Sequence, residues 1–344
     1  MTKTTIWFNK GFSNLHSAIE LIKRDDVDGR FRIICSHSAS EFIGFLVADA
    51  FEIEPVWLND DDYLEYCLDF CRRHSVDMFL PARRMVHLVA NRDKFEAQGV
   101  QVMSVTDAPT LRLIENKAKL YDALLGEDIV PIPEYFVARD ITAYDAAVAQ
   151  LWDRFGSACV KPTESVFGLG FRVLTNKGTE LDRLLNGDAI MIGANHLRSM
   201  LADAGTFREL IVMQYLEGQE RSIDCLAHEG ELVTSVIRLK AKSDGGAQLL
   251  EDNPAVRQTA EALTRRLGLS GLFNIQVRES GGIPYLLEIN PRMSGGLPFA
   301  CLAGVNIPYW AMRLAQGSCT ADDIPQPETG RRVYQVTVGV LAGQ

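Results

Sequence analysis

The sequence predicts a protein of mixed α/β and α+β class, with a Rossmann-like parallel-sheet domain at its N-terminus followed by a two-lobed core. Short β-rich runs alternate with amphipathic helical segments over roughly the first hundred residues, an alternation typical of βαβ units. Further strands follow, two of which are joined by a Gly-Gly turn. The 344 residues are 47% hydrophobic and 23% charged, which suits two or three domains of about 100–200 residues each.

In the first domain, for which we predict residues 1–106, strands and helices alternate in chain order. The predicted strands are Thr4–Phe8, Arg32–Cys35, Pro55–Leu58, Asp77–Leu80 and Val100–Val105. The predicted helices are Leu15–Lys23, Glu41–Ala50, Asp62–His74 and Val86–Gln98. Helical connections of this length imply a parallel sheet. The turn after the first strand carries one glycine, Gly11, so it lacks the GxGxxG fingerprint of dinucleotide binding.

The second region, residues 107–344, begins where Pro109 is placed to open a helix over Leu111–Leu125. A smaller α+β segment, at about residues 135–213, is predicted as a separate lobe. The remaining predicted strands are Leu232–Leu239, Gly271–Arg278, Tyr285–Asn290 and Arg331–Leu341.

Charge and apolar patterning exclude several classes of function. The net charge is −10 without a basic block, which disfavours a nucleic-acid platform. The chain has no apolar stretch of about 18 residues, and its first apolar run is too short for a signal sequence, so we expect a cytoplasmic protein away from membranes. The seven cysteines are expected to be buried free thiols, although a metal or redox site at Cys67, Cys71 and His74 is an alternative.

Polar side chains on the predicted Gly271–Arg278 and Tyr285–Asn290 hairpin form the first candidate site. Pairing that is symmetric about Gly282 would set Gln276 opposite Glu288, with Asn290 on the same face. Such oxygens suit Mg²⁺, which is commonly held by one or two carboxylates plus phosphates. A solvated hairpin face explains the pattern equally well, but the following Pro-Arg turn with Arg292 favours the metal site.

Two further segments carry weaker signals. Lys161 ends a strand that enters a loop containing Phe167, Gly168 and Gly170, where small residues would let backbone N–H groups approach phosphate oxygens. An ordinary hairpin with an exposed lysine is the favoured interpretation of this motif alone. The apolar strand through Gln214, Tyr215 and Leu216 leads to Glu220 and could present backbone groups to an adenine edge and a carboxylate to a ribose.

In this order, the segments resemble the ATP-grasp superfamily over roughly Asp107 to Gly317. The run Glu288-Ile289-Asn290-Pro291-Arg292 is most similar to the carbamoyl-phosphate-synthase branch. Tellurium-resistance-associated ATP-grasp proteins are a second relative that the sequence resembles. The resemblance implies that the two lobes form an ATP-grasp core, with the lid at about 135–213.

The resemblance also implies roles for individual residues. Phosphate contacts would come from Lys117, with Lys119 as the alternative alignment, and from Lys161 with the loop residues Phe167, Gly168 and Gly170. Nucleotide contacts would come from Gln214, Tyr215, Leu216 and Glu220, and from Gln276 through the metal. The metal ligands would be Gln276, Glu288 and Asn290. The catalytic residues would be Arg292, Lys161 and Asn290.

The function implied is an ATP-dependent ligase that joins a small carboxylate to an amine or a thiol through an acyl phosphate. Its cofactors would be ATP and Mg²⁺, with Mn²⁺ as a substitute. A homodimer is compatible with the resemblance. The alternatives are an ATP-grasp phosphotransferase and a non-catalytic ATP sensor. Arg238, Lys240 and Lys242 alternate along one strand and would either face the substrate or lie on a solvated strand face.

Overall fold

The structure is a computed structural model that describes residues 3–11, 14–165, 168–240, 246–336 and 338–341. The chain divides into two compact units. The first comprises Met1–Arg112, Gln219–Gln276 and Ile289–Gln344. The second comprises Leu113–Gly218 and Val277–Glu288. The domain limits drawn from the sequence, at 106 and at 135–213, remain predictions.

The first unit opens with a five-stranded parallel sheet of order β3-β2-β1-β4-β5. Its strands are β1 (Thr4–Asn9), β2 (Phe31–His37), β3 (Ala50–Ile53), β4 (Met78–Leu80) and β5 (Gln101–Val102). The helices between them are α1 (Asn14–Asp25), α2 (Asp60–His74), α3 (Met85–Ala90) and α4 (Arg92–Glu96). The predicted Rossmann-like parallel sheet is therefore confirmed.

Both faces of this sheet are buried. Successive side chains of β1 point to opposite sides, and both sets lie in a hydrophobic core. Ile6 and Phe8 lie in the core that includes α1, whereas Trp7 lies in the core that includes α2. The Trp7 ring stacks on Phe70 and Phe79 at centroid distances of 4.0 and 4.2 Å. These stacks fix α2 and β4 to the central strand.

The prediction for residues 41–58 is wrong in two respects. Only Ile43–Leu46 are helical, as a 3₁₀ turn, and the third strand is Ala50–Ile53 instead of Pro55–Leu58. Gly44 weakens an α-helix, and here it admits the Phe42 ring, whose nearest atom would lie 2.4 Å from an added Cβ. The Phe51 and Ile53 side chains are about half exposed on an edge strand, so their alternation does not mark a buried face.

The helix predicted over Leu111–Leu125 is two helices, α5 (Ala108–Glu115) and α6 (Lys117–Leu124). Asn116 separates them. Its backbone is extended and its side chain accepts a hydrogen bond from the Lys119 N–H group, so it caps α6. Asparagine favours this capping position over a helix interior. Lys117 is consequently the first residue of a new helix.

The second unit contains a five-stranded sheet of order β6-β10-β7-β8-β9. Its strands are β6 (Tyr135–Ala138), β7 (Ala158–Pro162), β8 (Arg172–Thr175), β9 (Met191–Gly193) and β10 (Leu210–Gln214). Helices α7 (Ile141–Phe155), α8 (Glu180–Leu185) and α9 (Ala194–Ala204) complete it. Tyr144 and Leu151 of α7 pack on Val160, Leu174 and Val212 of the sheet. The strand–loop–strand arrangement predicted around Lys161 is thus present as β7 and β8, which pair antiparallel.

The third sheet has six strands in the order β15-β14-β11-β12-β13-β16. They are β11 (Glu220–His228), β12 (Glu231–Lys240), β13 (Gln248–Glu251), β14 (Gly271–Ser280), β15 (Ile283–Asn290) and β16 (Arg332–Val333). Helices α10 (Pro254–Leu267), α11 (Leu297–Cys301) and α12 (Ile307–Ala315) accompany it. The strand predicted over Arg331–Leu341 is therefore much shorter in the structure.

One hydrophobic core runs through the first unit. It includes Leu15 and Ile19 of α1, Leu226 of β11, Leu297 of α11 and Met312 of α12. The parallel sheet and the helices after β15 are thus packed into the same unit. Within the described residues, no helix is long and apolar enough to cross a membrane.

Candidate functional site

The start of α6 is attached to the loop that follows β7. The Lys117 N–H group donates to the Thr163 carbonyl oxygen at 3.0 Å, and the Asn116 side-chain amide donates to Glu164 Oε1 at 3.0 Å. Lys117 and Lys161 are both buried, at 4% and 8% exposure. The two lysines predicted to contact phosphate therefore belong to one connected part of the second unit.

Lys117 has an acidic partner from β15. Its Nζ atom lies 3.5 Å from Glu288 Oε2 and also donates to the Ser165 carbonyl oxygen at 3.1 Å. The Tyr121 hydroxyl, one turn further along α6, donates to the Leu287 carbonyl oxygen at 2.7 Å and holds the two elements together. Lys119 is exposed, so the geometry favours Lys117 over the alternative alignment.

Glycines shape the described part of the loop after Lys161. Gly168 and Gly170 have φ angles of +66° and +79°, which favour glycine. A Cβ atom on Gly170 would also lie 2.7 Å from the Pro162 side chain. Phe167, a predicted binding residue, lies outside the described residues.

The predicted adenine segment lies where β10 ends. Gln214 and Leu216 are buried, and the Gln214 N–H group donates to the Glu134 carbonyl oxygen at 2.8 Å. The Arg278 guanidinium lies 5.5 Å from the centre of the Tyr215 ring, and its Nε atom donates to the Gly218 carbonyl oxygen at 3.1 Å. Arg278 is not among the residues predicted from the sequence, although it lies two residues after Gln276 on the same strand, β14.

Glu220, the predicted ribose ligand, begins β11. Its carboxylate pairs with the Lys240 ammonium at the end of β12. Lys240 is therefore neutralised by a residue predicted to bind nucleotide, and Lys242 lies outside the described residues. A ribose at Glu220 would have to share its carboxylate with Lys240 or displace it.

The proposed metal ligands are one carboxylate and two amides. The Gln276 amide donates to Asn274 Oδ1 at 3.4 Å, and Asn290 Oδ1 accepts from Arg292 Nη2 at 3.4 Å. Among the described residues no group of three or more His, Cys, Asp and Glu side chains could hold a metal. The donor set therefore fits Mg²⁺ only when phosphate oxygens complete the coordination, as Mg²⁺ commonly requires.

The turn of the β14–β15 hairpin is not centred on Gly282, as the predicted pairing requires. The strands end at Ser280 and resume at Ile283, leaving Gly281 and Gly282, with φ angles of +57° and +81°, as the turn. A two-residue turn of this kind is centred between the two glycines, half a residue from Gly282. A regular ladder would therefore shift the assumed pairing by one residue, and Gln276 can share a face with Glu288 only through a bulge.

Arg238 does not lie on a solvated strand face. It is 2% exposed, and its Nε atom donates to Asp224 Oδ2 at 2.7 Å. Its terminal nitrogens donate to Gln248 Oε1, Ser222 Oγ and Ser294 Oγ at 2.6, 2.9 and 3.0 Å. Those partners occupy four of its five N–H donors, which argues against a substrate contact as well and gives Arg238 the role of holding the turn after Arg292.

Gly296 makes this arrangement sterically possible. A Cβ atom there would lie 2.1 Å from Arg238 Nη1. The guanidinium consequently rests against the backbone of the turn. The Ser294 carbonyl oxygen accepts from the Asn14 amide at 2.8 Å, so the turn is fixed to α1 as well.

Six of the seven cysteines are buried, as the sequence predicted. Cys35, Cys67, Cys71, Cys159, Cys225 and Cys301 are buried free thiols, and Cys319 is partly exposed. Burial raises the pKa of the Cys71 thiol to about 12. His74 instead contacts Glu52, with Nε2 3.1 Å from Oε2, so these side chains do not form the alternative metal site.

Comparisons with known proteins agree with this architecture. Residues 206–338 match the family model described as ATP-grasp in the biosynthetic pathway with Ter operon, which agrees with the second relative named from the sequence. A search of the curated proteins finds no match.

Three solved structures illustrate the structural likeness. An L-amino acid ligase from Bacillus licheniformis is 14% identical with a TM-score of 0.67, and the alignment covers 96% of this chain and 79% of that one. An N5-carboxyaminoimidazole synthetase from Staphylococcus aureus complexed with ADP is 12% identical with a TM-score of 0.65, covering 96% and 81%. The biotin carboxylase domain of the Hydrogenobacter thermophilus 2-oxoglutarate carboxylase, in complex with MgADP, ADP and bicarbonate, is 16% identical with a TM-score of 0.65, covering 96% and 73%. The chain therefore has an ATP-grasp fold over nearly its whole length, and its residues 206–338 match an ATP-grasp family model.

Proposed function

We propose that this protein is an ATP-dependent ligase that activates a small carboxylate as an acyl phosphate and transfers it to an amine. The observation that carries the proposal is the ion pair of Lys117 and Glu288, at 3.5 Å. The buried Lys117 ammonium is suited to bind a phosphate of ATP. The Glu288 carboxylate is suited to bind the Mg²⁺ that accompanies ATP. Solved ATP-grasp structures in complex with ADP and MgADP support the same assignment.

The residues divide the work by charge. Lys117 and Lys161 would bind phosphate oxygens through charge-assisted hydrogen bonds. Glu288 and Asn290 would hold Mg²⁺, which when bound neutralises phosphate charge, and Gln276 would join them if a bulge brings it to the same face of the hairpin. Arg292 carries five N–H donors on its planar guanidinium. It would orient the carboxylate and stabilise negative charge during phosphoryl transfer. Positioning and electrostatic stabilisation are what phosphoryl transfer chiefly requires from a protein.

Hydroxylamine trapping tests the reaction class. An acyl phosphate is a mixed anhydride, so hydroxylamine should convert it to a hydroxamate while ADP and phosphate are released. The assay would supply Mg-ATP, hydroxylamine and pooled carboxylates, and the Glu288→Gln variant would provide the background. A stable phosphorylated product without hydroxamate would mark a phosphotransferase. Nucleotide binding with no product from any pool would leave the ATP sensor as the better account.

A further inference from the structure

The first unit contains a cavity of about 250 Å³ at the carboxyl ends of its parallel strands. Phe8 and Asn9 end β1, Leu80 ends β4, and Met103 follows β5; all four line it. The connection from β1 to β2, through α1, packs on one face of the sheet, whereas α3 and α4, between β4 and β5, pack on the other. The strand order thus reverses beside β1, which is where open α/β sheets bind ligands.

The cavity wall is predominantly apolar. Leu272 of β14 and Met312 and Ala315 of α12 contribute to it, and four of the chain's nine methionines line it, namely Met85, Met103, Met293 and Met312. Methionine is flexible and polarisable, so it adapts to apolar groups of differing shape. The lining therefore suits a hydrocarbon, thioether or aromatic group.

Two charged residues stand in the described part of this wall, Arg292 and Glu229. Arg292 follows β15, and its guanidinium is oriented locally by hydrogen bonds to the Met293 carbonyl oxygen at 3.1 Å and to Asn290 Oδ1 at 3.4 Å. A guanidinium matches the geometry of a carboxylate. The cavity therefore combines an apolar wall with a carboxylate-binding group.

We infer that the activated substrate is an amphipathic carboxylate whose apolar side group occupies this cavity while its carboxylate lies at Arg292. This inference rests on the proposed function. It selects carboxylates with aliphatic, thioether or aromatic side groups, the class that includes the apolar amino acids. It excludes bicarbonate and dicarboxylates, which have no apolar group to bury.

Size-selective variants provide the test. Ala315→Leu narrows the cavity and Met103→Ala widens it. Ala262→Leu is the matched control, because Ala262 is also partly buried on a helix of the first unit but is absent from the cavity wall. The probes are 3-phenylpropanoate, 4-methylpentanoate, phenylalanine, leucine, glycine, glutamate and bicarbonate. Binding is followed by saturation-transfer NMR, and turnover by hydroxamate formation and phosphate release with Mg-ATP and hydroxylamine.

We expect the protein to bind the apolar probes more tightly, and to turn them over faster, than glycine, glutamate and bicarbonate. Ala315→Leu should lower the ratio of turnover with 3-phenylpropanoate to turnover with 4-methylpentanoate about tenfold. Met103→Ala should raise this ratio, and Ala262→Leu should leave it unchanged. Failure of every apolar probe to bind, or preference for the small and charged ones, overturns the inference. Cavity-dependent binding of apolar probes without hydroxamate or phosphate release would uphold the cavity and reject the ligase.

Discussion

The Lys117 ammonium lies 3.5 Å from the Glu288 carboxylate, with 5% and 20% of the two side chains exposed. Their pairing keeps two opposite charges available at one place, and a nucleotide phosphate with its metal would engage both.

Glu288→Gln is expected to lower ATP turnover by at least about two orders of magnitude, an effect comparable to losing a key transition-state electrostatic contact. The melting temperature should fall only by a few degrees, because Glu288 is partly exposed. Asn290→Ala should behave alike. Steady-state phosphate release and calorimetry would measure both effects, and near-normal turnover by a folded Glu288→Gln protein would refute the metal assignment.

Lys161→Ala is expected to weaken ATP binding by about 2 kcal/mol or more, the size of a charge-assisted hydrogen bond. Its buried position at the end of β7 motivates the expectation. Isothermal titration with a non-hydrolysable ATP analogue measures the loss directly. Unchanged affinity would make Lys161 a structural residue of the hairpin.

Lys117→Ala and Lys119→Ala form a matched pair of variants two residues apart. Lys117 is buried beside Glu288, whereas Lys119 is exposed. We expect the Lys117 variant alone to lose nucleotide affinity, by roughly tenfold or more, as for other contacts to charged groups. An equal or larger loss of nucleotide affinity in the Lys119 variant would identify Lys119, instead of Lys117, as the phosphate-binding lysine.

Arg238→Met is expected to destabilise the protein by about 3–5 kcal/mol, because it leaves the buried Asp224 carboxylate without its cationic partner. The Asp224 and Arg238 side chains are 3% and 2% exposed. Urea unfolding measures the loss, and Arg265→Met, which removes an exposed pair with Glu231, is the control. The double variant Asp224→Leu/Arg238→Met should recover part of the stability, and further loss would contradict the pairing argument.

The native protein is expected to expose a single reactive thiol. Burial raises the pKa values of the Cys35 and Cys71 thiols to about 12, so at pH 8 roughly one in ten thousand would be thiolate, the reactive form. A chromogenic disulfide reagent at pH 8 should label Cys319 in the native protein and all seven cysteines after denaturation. Cys319→Ser should remove the native signal, and rapid labelling of that variant would contradict the buried positions.

Much of the fold follows from local sequence signals. The alternation of apolar runs predicts the parallel sheet, and Gly281-Gly282 predicts the hairpin turn that the structure contains. The predicted helix over Leu111–Leu125 fails because it overlooks one such local signal. Asn116 prefers to cap a helix, and this splits the predicted helix.

The candidate site is less predictable because its partners are distant in sequence. Lys117 and Glu288 were each identified, but their proximity depends on how α6 and β15 pack. Arg238 was expected at the surface or in contact with substrate because alternation on a strand does not reveal which face is buried. Its partners Asp224, Gln248 and Ser294 come from three different segments, and only tertiary structure brings them together.

The contact between Gly296 and Arg238 constrains how this sequence can diverge. A Cβ atom at position 296 would lie 2.1 Å from the guanidinium. A lineage can therefore replace this glycine only if Arg238 is replaced by a smaller residue at the same time or earlier. Related chains with alanine or serine at this position should therefore carry a smaller side chain in place of the arginine, together with an uncharged residue in place of Asp224. The three positions should change as a set, and the arginine should be lost in no lineage that keeps the aspartate.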